Sequence, residues 1–128
     1  MGQAEHDKAL RVLLAEDEVL IAAEIEAMLL EIGCRVIGPV ATVDEVERRA
    51  ASEALEGALL DVNLRGRHVF RALPVLLRRR IPVILSSGYD DRSLYPAEFR
   101  DLPLLVKPYD LDELRGAVTE IFGSRSPT

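Results

Sequence analysis

The sequence holds a single cysteine, Cys34, among its 128 residues. No intramolecular disulfide can form, so the fold has to stand on its own core, which a chain of this length can build. A lone cysteine also fits a reducing cytosol. The two histidines, His6 and His68, and Cys34 match no zinc-ligand spacing. All three read as solvated or core residues without a role. No stretch is long and apolar enough to span a bilayer. Residues 1–8 are polar and carry Glu5 and Asp7, so they lack the apolar centre of a signal peptide. A cytoplasmic location without membrane contact is the expectation. Positive charge is in deficit too: 16 Lys and Arg stand against 22 Asp and Glu, for a net charge of −6. A nucleic-acid surface needs a basic face, so direct nucleic-acid binding is not expected. The Arg78-Arg79-Arg80 triplet reads as a solvated helix end, with cations near the C-terminus. No glycine-rich loop follows the first apolar run, which disfavours a nucleotide-binding domain. Repeats, low-complexity segments and linkers are absent as well. The length suits one domain, taken as residues 10–123 between short tails at 1–9 and 124–128.

What the chain does have is a series of short apolar runs, each ending in a polar group. Val12-Leu13-Leu14-Ala15 runs into Glu16-Asp17-Glu18. Ala58-Leu59-Leu60 runs into Asp61. Val83-Ile84-Leu85 leads to Ser86-Ser87-Gly88, and Leu104-Leu105-Val106 to Lys107-Pro108. Such runs read as strands buried on both faces. Arg35 to Val40 reads as a further strand, at a sheet edge because Pro39 cannot donate to a ladder. Between the strands, Leu20, Ile21, Ile25, Met28, Leu29 and Ile32 fall at helical spacing, and Gly33 closes that helix. Thr42 with Glu45 has the capping-box pattern and starts a helix to about residue 54. A third helix is expected over 69–79, with Pro74 inside it. Asp110 caps a last helix bearing Leu111, Leu114, Val118 and Ile121, which Gly123 ends. The stretch 89–103 is the least regular and supports at most a short helix over 97–99. Alternation of this kind predicts an α/β fold, a parallel sheet with helices on both faces.

In a parallel sheet the C-terminal strand ends share one edge, which is where open α/β sheets bind ligands. Glu16, Asp17, Asp61, Ser87 and Lys107 would therefore surround one crevice. Each piece has a bland reading on its own. Acids after a strand favour the next helix N-terminus, Asp61 could cap a loop, and Ser-Gly and Lys-Pro are common turns. The specific signal is their joint placement at four strand ends. Carboxylates about 4 Å apart repel by roughly 4 kcal/mol per pair at an effective dielectric near 20. A raised pKa or a bound cation relieves that. The all-oxygen donor set suits Mg²⁺. Mg²⁺ beside a carboxylate, a hydroxyl and a lysine is equipment for phosphoryl transfer, with Asp61 as nucleophile and Ser87 and Lys107 on the phosphoryl oxygens.

On Glu16-Asp17, Asp61, Ser87-Gly88 and Lys107-Pro108, the sequence from about residue 10 to 122 resembles the receiver domain of bacterial two-component response regulators. The resemblance implies a flavodoxin-like (βα)5 doubly wound sheet of strand order 2-1-3-4-5. It implies that Asp61 takes a phosphoryl group from a sensor histidine kinase or a histidine phosphotransfer protein, in self-catalysed transfer and autodephosphorylation rather than as an enzyme. It further implies that Asp17, Asp61 and the backbone carbonyl of Asn63 bind Mg²⁺, that Glu16 reaches the ion through water, and that the Lys107-Pro108 bond is cis. Asp61-Val62-Asn63-Leu64, Leu85 to Tyr89 and Lys107-Pro108-Tyr109 look like a stand-alone group that carries a Phe-Ala-Thr-Gly-Tyr stretch. Here that stretch reads Leu-Ser-Ser-Gly-Tyr, with the hydroxyl kept at Ser87.

The sequence departs from the family at Leu104, where many receivers carry an aromatic residue. Tyr89 and Tyr109 become the switch candidates beside it. Output is expected through an unidentified partner protein, without an output domain. Asn63 and Tyr89 flank the site and are candidates to tune water access. Two other readings compete. One is a constitutive receiver-like interaction module that is never phosphorylated. The other is an aspartyl-phosphate phosphatase, disfavoured because such enzymes commonly put a second acid where this chain has Asn63.

Overall fold

A computed structural model describes residues 9–123. His6 and the expected tails, apart from Ala9, lie outside the described residues. Five parallel strands form the main sheet: β1 (Arg11–Ala15), β2 (Arg35–Val40), β3 (Gly57–Asp61), β6 (Val83–Ser87) and β7 (Leu104–Val106). Their order is β2-β1-β3-β6-β7, which is the expected 2-1-3-4-5 once a small hairpin is set aside. That hairpin pairs β4 (Asn63–Leu64) with β5 (Arg67–His68) and fills what the sequence reads as plain loop. Arg65 and Gly66 both adopt positive φ, 51° and 80°. A two-residue turn with both φ values positive fits strand twist, and Asn-Gly is its usual sequence signal. Arg-Gly does not announce it.

Alternation along the strands explains why they read as unbroken apolar runs. Leu13, Leu60 and Leu85 enter one core, with Val43, Val46 and Ala50 of α2 (Val43–Ser52) and Leu73 and Leu76 of α3 (Leu73–Arg78). Val12, Leu14, Leu59 and Ile84 enter the other, with Ile25 and Leu29 of α1 (Val19–Ile32) and Leu114 of α4 (Leu111–Ala117). Burying such a side chain is worth about 1.5–3 kcal/mol, so both faces hold the central strands in register.

Local signals place most boundaries. Gly33 takes the left-handed conformation at φ 104° and closes α1. Thr42 accepts from the Glu45 amide at 3.2 Å. In return Glu45 Oε1 accepts from the Ala41 amide, one residue earlier than a capping box places it. Asp110 and Glu113 form the complete box at the start of α4. The third helix departs from expectation. It opens as a 3-10 turn over Val69–Ala72 and becomes α-helical only from Leu73, so Pro74 sits in the first α-turn, where its missing N–H costs nothing. The last helix passes into a π-turn over Val118–Phe122. In α1, Leu20 is exposed rather than on the apolar face, because the line Ala22, Ile25, Leu29 meets the sheet. The arginine triplet is more than a solvated end. Arg79 donates to the Ala50 and Glu53 carbonyls and ties α3 to the end of α2. Among the described residues no helix is long and apolar enough to cross a membrane.

Candidate functional site

The C-terminal strand ends meet as the sequence implies. Register sets Asp61 beside Ser86 and Ser87 beside Val106. Two backbone bonds then lock the ends together, Val62 N–H to the Ser86 carbonyl at 2.9 Å and Lys107 N–H to the Ser87 carbonyl at 2.7 Å. Lys107 follows β7 directly, and its peptide bond to Pro108 is cis. The ammonium donates to Asp61 Oδ2 at 2.9 Å and to Glu16 Oε1 at 3.0 Å. Glu16 and Asp61 are two of the three buried polar or charged residues of the chain's described part; Ser86 is the third.

Oxygens of Glu16, Asp17 and Asp61 lie within 4.8 Å of one another. Burial raises the Glu16 carboxyl above its ordinary range. The Glu18 amide and Lys107 pull it back only in part, and the nearby Asp61 charge pushes the same way as burial. For Lys107, burial works against the charge, but the hydrogen bonds it donates to Asp61 and Glu16 outweigh it and leave the ammonium above its usual range. One lysine is thus shared by two buried carboxylates with a third close by. A cluster of hard oxygen donors with surplus negative charge suits a hard divalent cation.

Each acid also holds the backbone around it. Glu16 Oε2 accepts from the Glu18 amide at 3.1 Å, just ahead of α1, while its Oε1 takes part in the cluster. Asp17 Oδ2 accepts from the Arg65 amide at 2.7 Å, across 48 residues of sequence. Asp61 Oδ1 accepts from the Asn63 amide at 3.2 Å. The Asn63 side chain is occupied elsewhere: its Oδ1 accepts from the Gly66 amide at 2.9 Å inside the hairpin turn. Asn63 also lines the cavity over the cluster.

A cavity of about 730 Å³ opens over the cluster. Asp17, Asp61, Lys107 and Ser87 line it together with His68, Phe70, Leu94 and Tyr95. Leu104 is half-buried, and Tyr89 is 79% exposed. Burial pushes the Tyr109 phenol up to about 12, and the Ser86 hydroxyl beside it offsets only part of that. Neither hydroxyl completes a hydrogen bond among the described residues. Cys34 is core, as expected, and burial raises its thiol to about 11. His68 is exposed and lines the cavity, its ring 5.4 Å from that of Phe70. Tyr95 is a site residue that sequence reasoning missed. It sits inside an irregular stretch with no periodicity to mark it as buried, yet it is only 7% exposed.

Comparison with known proteins gives one consistent answer. No family model matches the chain. It is 30% identical over 112 residues to the transcriptional regulatory protein PdtaR of Mycobacterium tuberculosis, covering 84% of this chain and 54% of that protein. The chain spans about half the length of the curated relatives it matches. Among solved structures, SdrG of Sphingomonas melonis is 34% identical, with 88% of this chain and 95% of that one covered and a TM-score of 0.76. The receiver domain of the sensor histidine kinase PA1611 of Pseudomonas aeruginosa is 26% identical, covering 91% of this chain and 99% of that one, at a TM-score of 0.76. That structure has a magnesium ion coordinated in its active-site cleft.

Proposed function

We propose, from the premise that this chain belongs to the receiver family of two-component response regulators, that it is a phosphoacceptor signalling module phosphorylated on Asp61. The observation that carries the reading is the Lys107 ammonium bonded at once to Asp61 and Glu16 inside a three-carboxylate cluster. Asp17, Asp61 and the Asn63 carbonyl would hold Mg²⁺, with Glu16 acting through water. The ion would offset the charge of the acids and of the incoming phosphoryl oxygens.

In the reaction, a carboxylate oxygen of Asp61 attacks phosphorus. The bond from phosphorus to the donor nitrogen or acyl oxygen breaks, and the leaving group keeps the electron pair. Lys107 moves from carboxylate pairing to the phosphoryl oxygens, and the Ser87 hydroxyl donates to one of them. The bonds from the Asn63 amide to Asp61 and from the Arg65 amide to Asp17 hold the carboxylates in place while this happens. The donor would be a sensor histidine kinase or a histidine phosphotransfer protein. The output would be altered binding to a partner protein, with residues 10–123 as the receiver unit. Ser87, Tyr89 and the stretch after β6 would carry the change.

The test is intact-protein mass after incubation with acetyl phosphate, with and without Mg²⁺, on wild type and Asp61→Ala. One Mg²⁺-dependent phosphoryl adduct, absent in the variant, is the expected result. A short-lived adduct is covered by repeating the experiment as binding of beryllofluoride with Mg²⁺. Failure of both overturns the phosphoacceptor reading in favour of a constitutive interaction module.

A further inference from the structure

The stretch between β6 and β7 lacks regular helix beyond a 3-10 turn at Ala97–Phe99, yet it is firmly built. Arg92 donates to the Arg100 and Leu102 carbonyls at 2.7 and 3.0 Å. Arg100 in turn donates to the Tyr95 carbonyl at 3.0 Å, and the Tyr95 amide donates to the Arg92 carbonyl at 3.1 Å. These bonds make residues 92–102 one unit with Tyr95 at its centre. The Tyr95 ring lies 4.9 Å from Phe70, tilted by 57°, and Phe70 stacks on Phe99 at 6.0 Å. Tyr95 and Phe70 thus form an aromatic wall of the cavity that Ser87 also lines.

We propose that Tyr95 is the positioning residue that couples Ser87 to the 92–102 unit, taking the part that a β7 aromatic would play at Leu104. The inference rests on the phosphoacceptor reading and adds the residue through which it signals. Ser87 Oγ already accepts from the Tyr89 amide at 3.2 Å, so its own proton is the part free to choose a partner. Ser87 and the buried Tyr95 line the same cavity, which brings the two side chains to one space above the cluster. A phosphoryl group on Asp61 would claim the Ser87 proton and change what the Tyr95 oxygen faces. Because the Tyr95 carbonyl and amide are both clamped to the arginine-bound unit, a shift of the ring is passed to residues 92–102. The other tyrosines are placed differently. Tyr89 is exposed, and Tyr109 faces Ser86 on the opposite side of the sheet edge.

The experiment labels the ring Cζ carbons of the three tyrosines with ¹³C and records NMR spectra with Mg²⁺ before and after beryllofluoride. Amide spectra follow the backbone. The Tyr95 resonance is expected to move in wild type and to stay in place in Ser87→Ala. In Tyr95→Phe, beryllofluoride should still shift the amides around Asp61, while the shifts across residues 92–102 fall to less than half. The proposal is overturned if Tyr95→Phe keeps the full response of that unit, or if only Tyr89 or Tyr109 moves in wild type. If beryllofluoride fails to bind wild type at all, the phosphoacceptor reading fails first and takes the coupling with it. Binding at Asp61 without any Tyr95 response removes the coupling alone.

Discussion

Lys107 Nζ and Asp61 Oδ2 are 2.9 Å apart, and the same ammonium holds Glu16 at 3.0 Å. The lysine side chain is only 18% exposed and the two acids less, so the pairing is screened little by solvent. Lys107→Met keeps the stem and removes the charge, leaving two buried carboxylates unpaired. Breaking a buried pair from one side costs roughly 3–5 kcal/mol. Mg²⁺ should return part of that, since a ligand at a hundred times its Kd stabilises by about 2.7 kcal/mol. Urea unfolding with and without Mg²⁺ is therefore expected to show a larger Mg²⁺ effect in Lys107→Met than in wild type. Equal effects in the two proteins would mean that lysine and metal do not share the same carboxylates.

Glu16 gives a pH dependence with a definite sign. Its folded-state carboxyl is raised above the ordinary value of 4.5, mainly by burial. Between those two values the folded state binds more proton than the unfolded state. Stability from this group is then full below pH 4.5 and falls as pH rises through the folded value. Glu16→Gln removes that slope, at the loss of one hydrogen bond worth about 1 kcal/mol. Measured in urea without Mg²⁺, the variant should gain on wild type as pH rises from acid to neutral. A variant that keeps a constant distance from wild type, or loses ground to it, over this range contradicts the assignment.

The fold was legible because its signals are local or periodic. The five strands and their order, the Gly33 and Asp110 caps, and the Ala97–Phe99 turn all agree with the sequence reading. The convergence of Glu16, Asp17, Asp61, Ser87 and Lys107 followed from topology alone, since parallel strands end at one edge. What escaped depends on contacts between distant residues. The Arg65-Gly66 turn is held by Asn63 and fastened to Asp17, and Tyr95 is held against Phe70 by a bond from the Arg100 side chain to its carbonyl and one from its amide to the Arg92 carbonyl. Neither has a pattern along the chain. Arg79 was read as a solvated cation because its acceptors, the Ala50 and Glu53 carbonyls, lie on another helix.

Cys34 should be inert in the folded protein. It is buried on the α1 and α4 side of the sheet, and its thiol is raised to about 11 from an ordinary 9.0. Thiolate is the reactive form, so at pH 8 both access and ionisation oppose attack. Reaction with a thiol reagent such as DTNB is expected to be at least about a hundredfold slower than in urea-unfolded protein. The same shift makes the group's contribution to stability fall as pH rises from about 9 through about 11. Rapid labelling of native protein at pH 8 would show that the α1 side opens far more readily than its burial implies.

The hairpin ties the cluster's geometry to a turn that contributes no charge of its own to it. Asn63 Oδ1 holds the Gly66 amide, which fixes the Arg65-Gly66 turn, and the Arg65 amide then holds Asp17. Asn63→Ala removes the first bond and keeps the Asn63 backbone. The expected cost to stability is about 1 kcal/mol, that of one hydrogen bond. If the turn also orients Asp17, Mg²⁺ affinity should drop by about tenfold or more, on the scale of losing an outer-shell partner of a ligating carboxylate. Asn63→Asp separates this from general loosening, because its carboxylate can still accept from Gly66 while adding negative charge near the ion. Mg²⁺ titrations followed by amide NMR should thus rank Asn63→Ala well below wild type and Asn63→Asp at or above it. If both variants weaken binding alike, the Asn63 amide itself matters at the site, and the turn does not act through Asp17. If neither does, Asp17 keeps its place without the hairpin, and the bond across 48 residues is a consequence of the fold rather than a support for the metal.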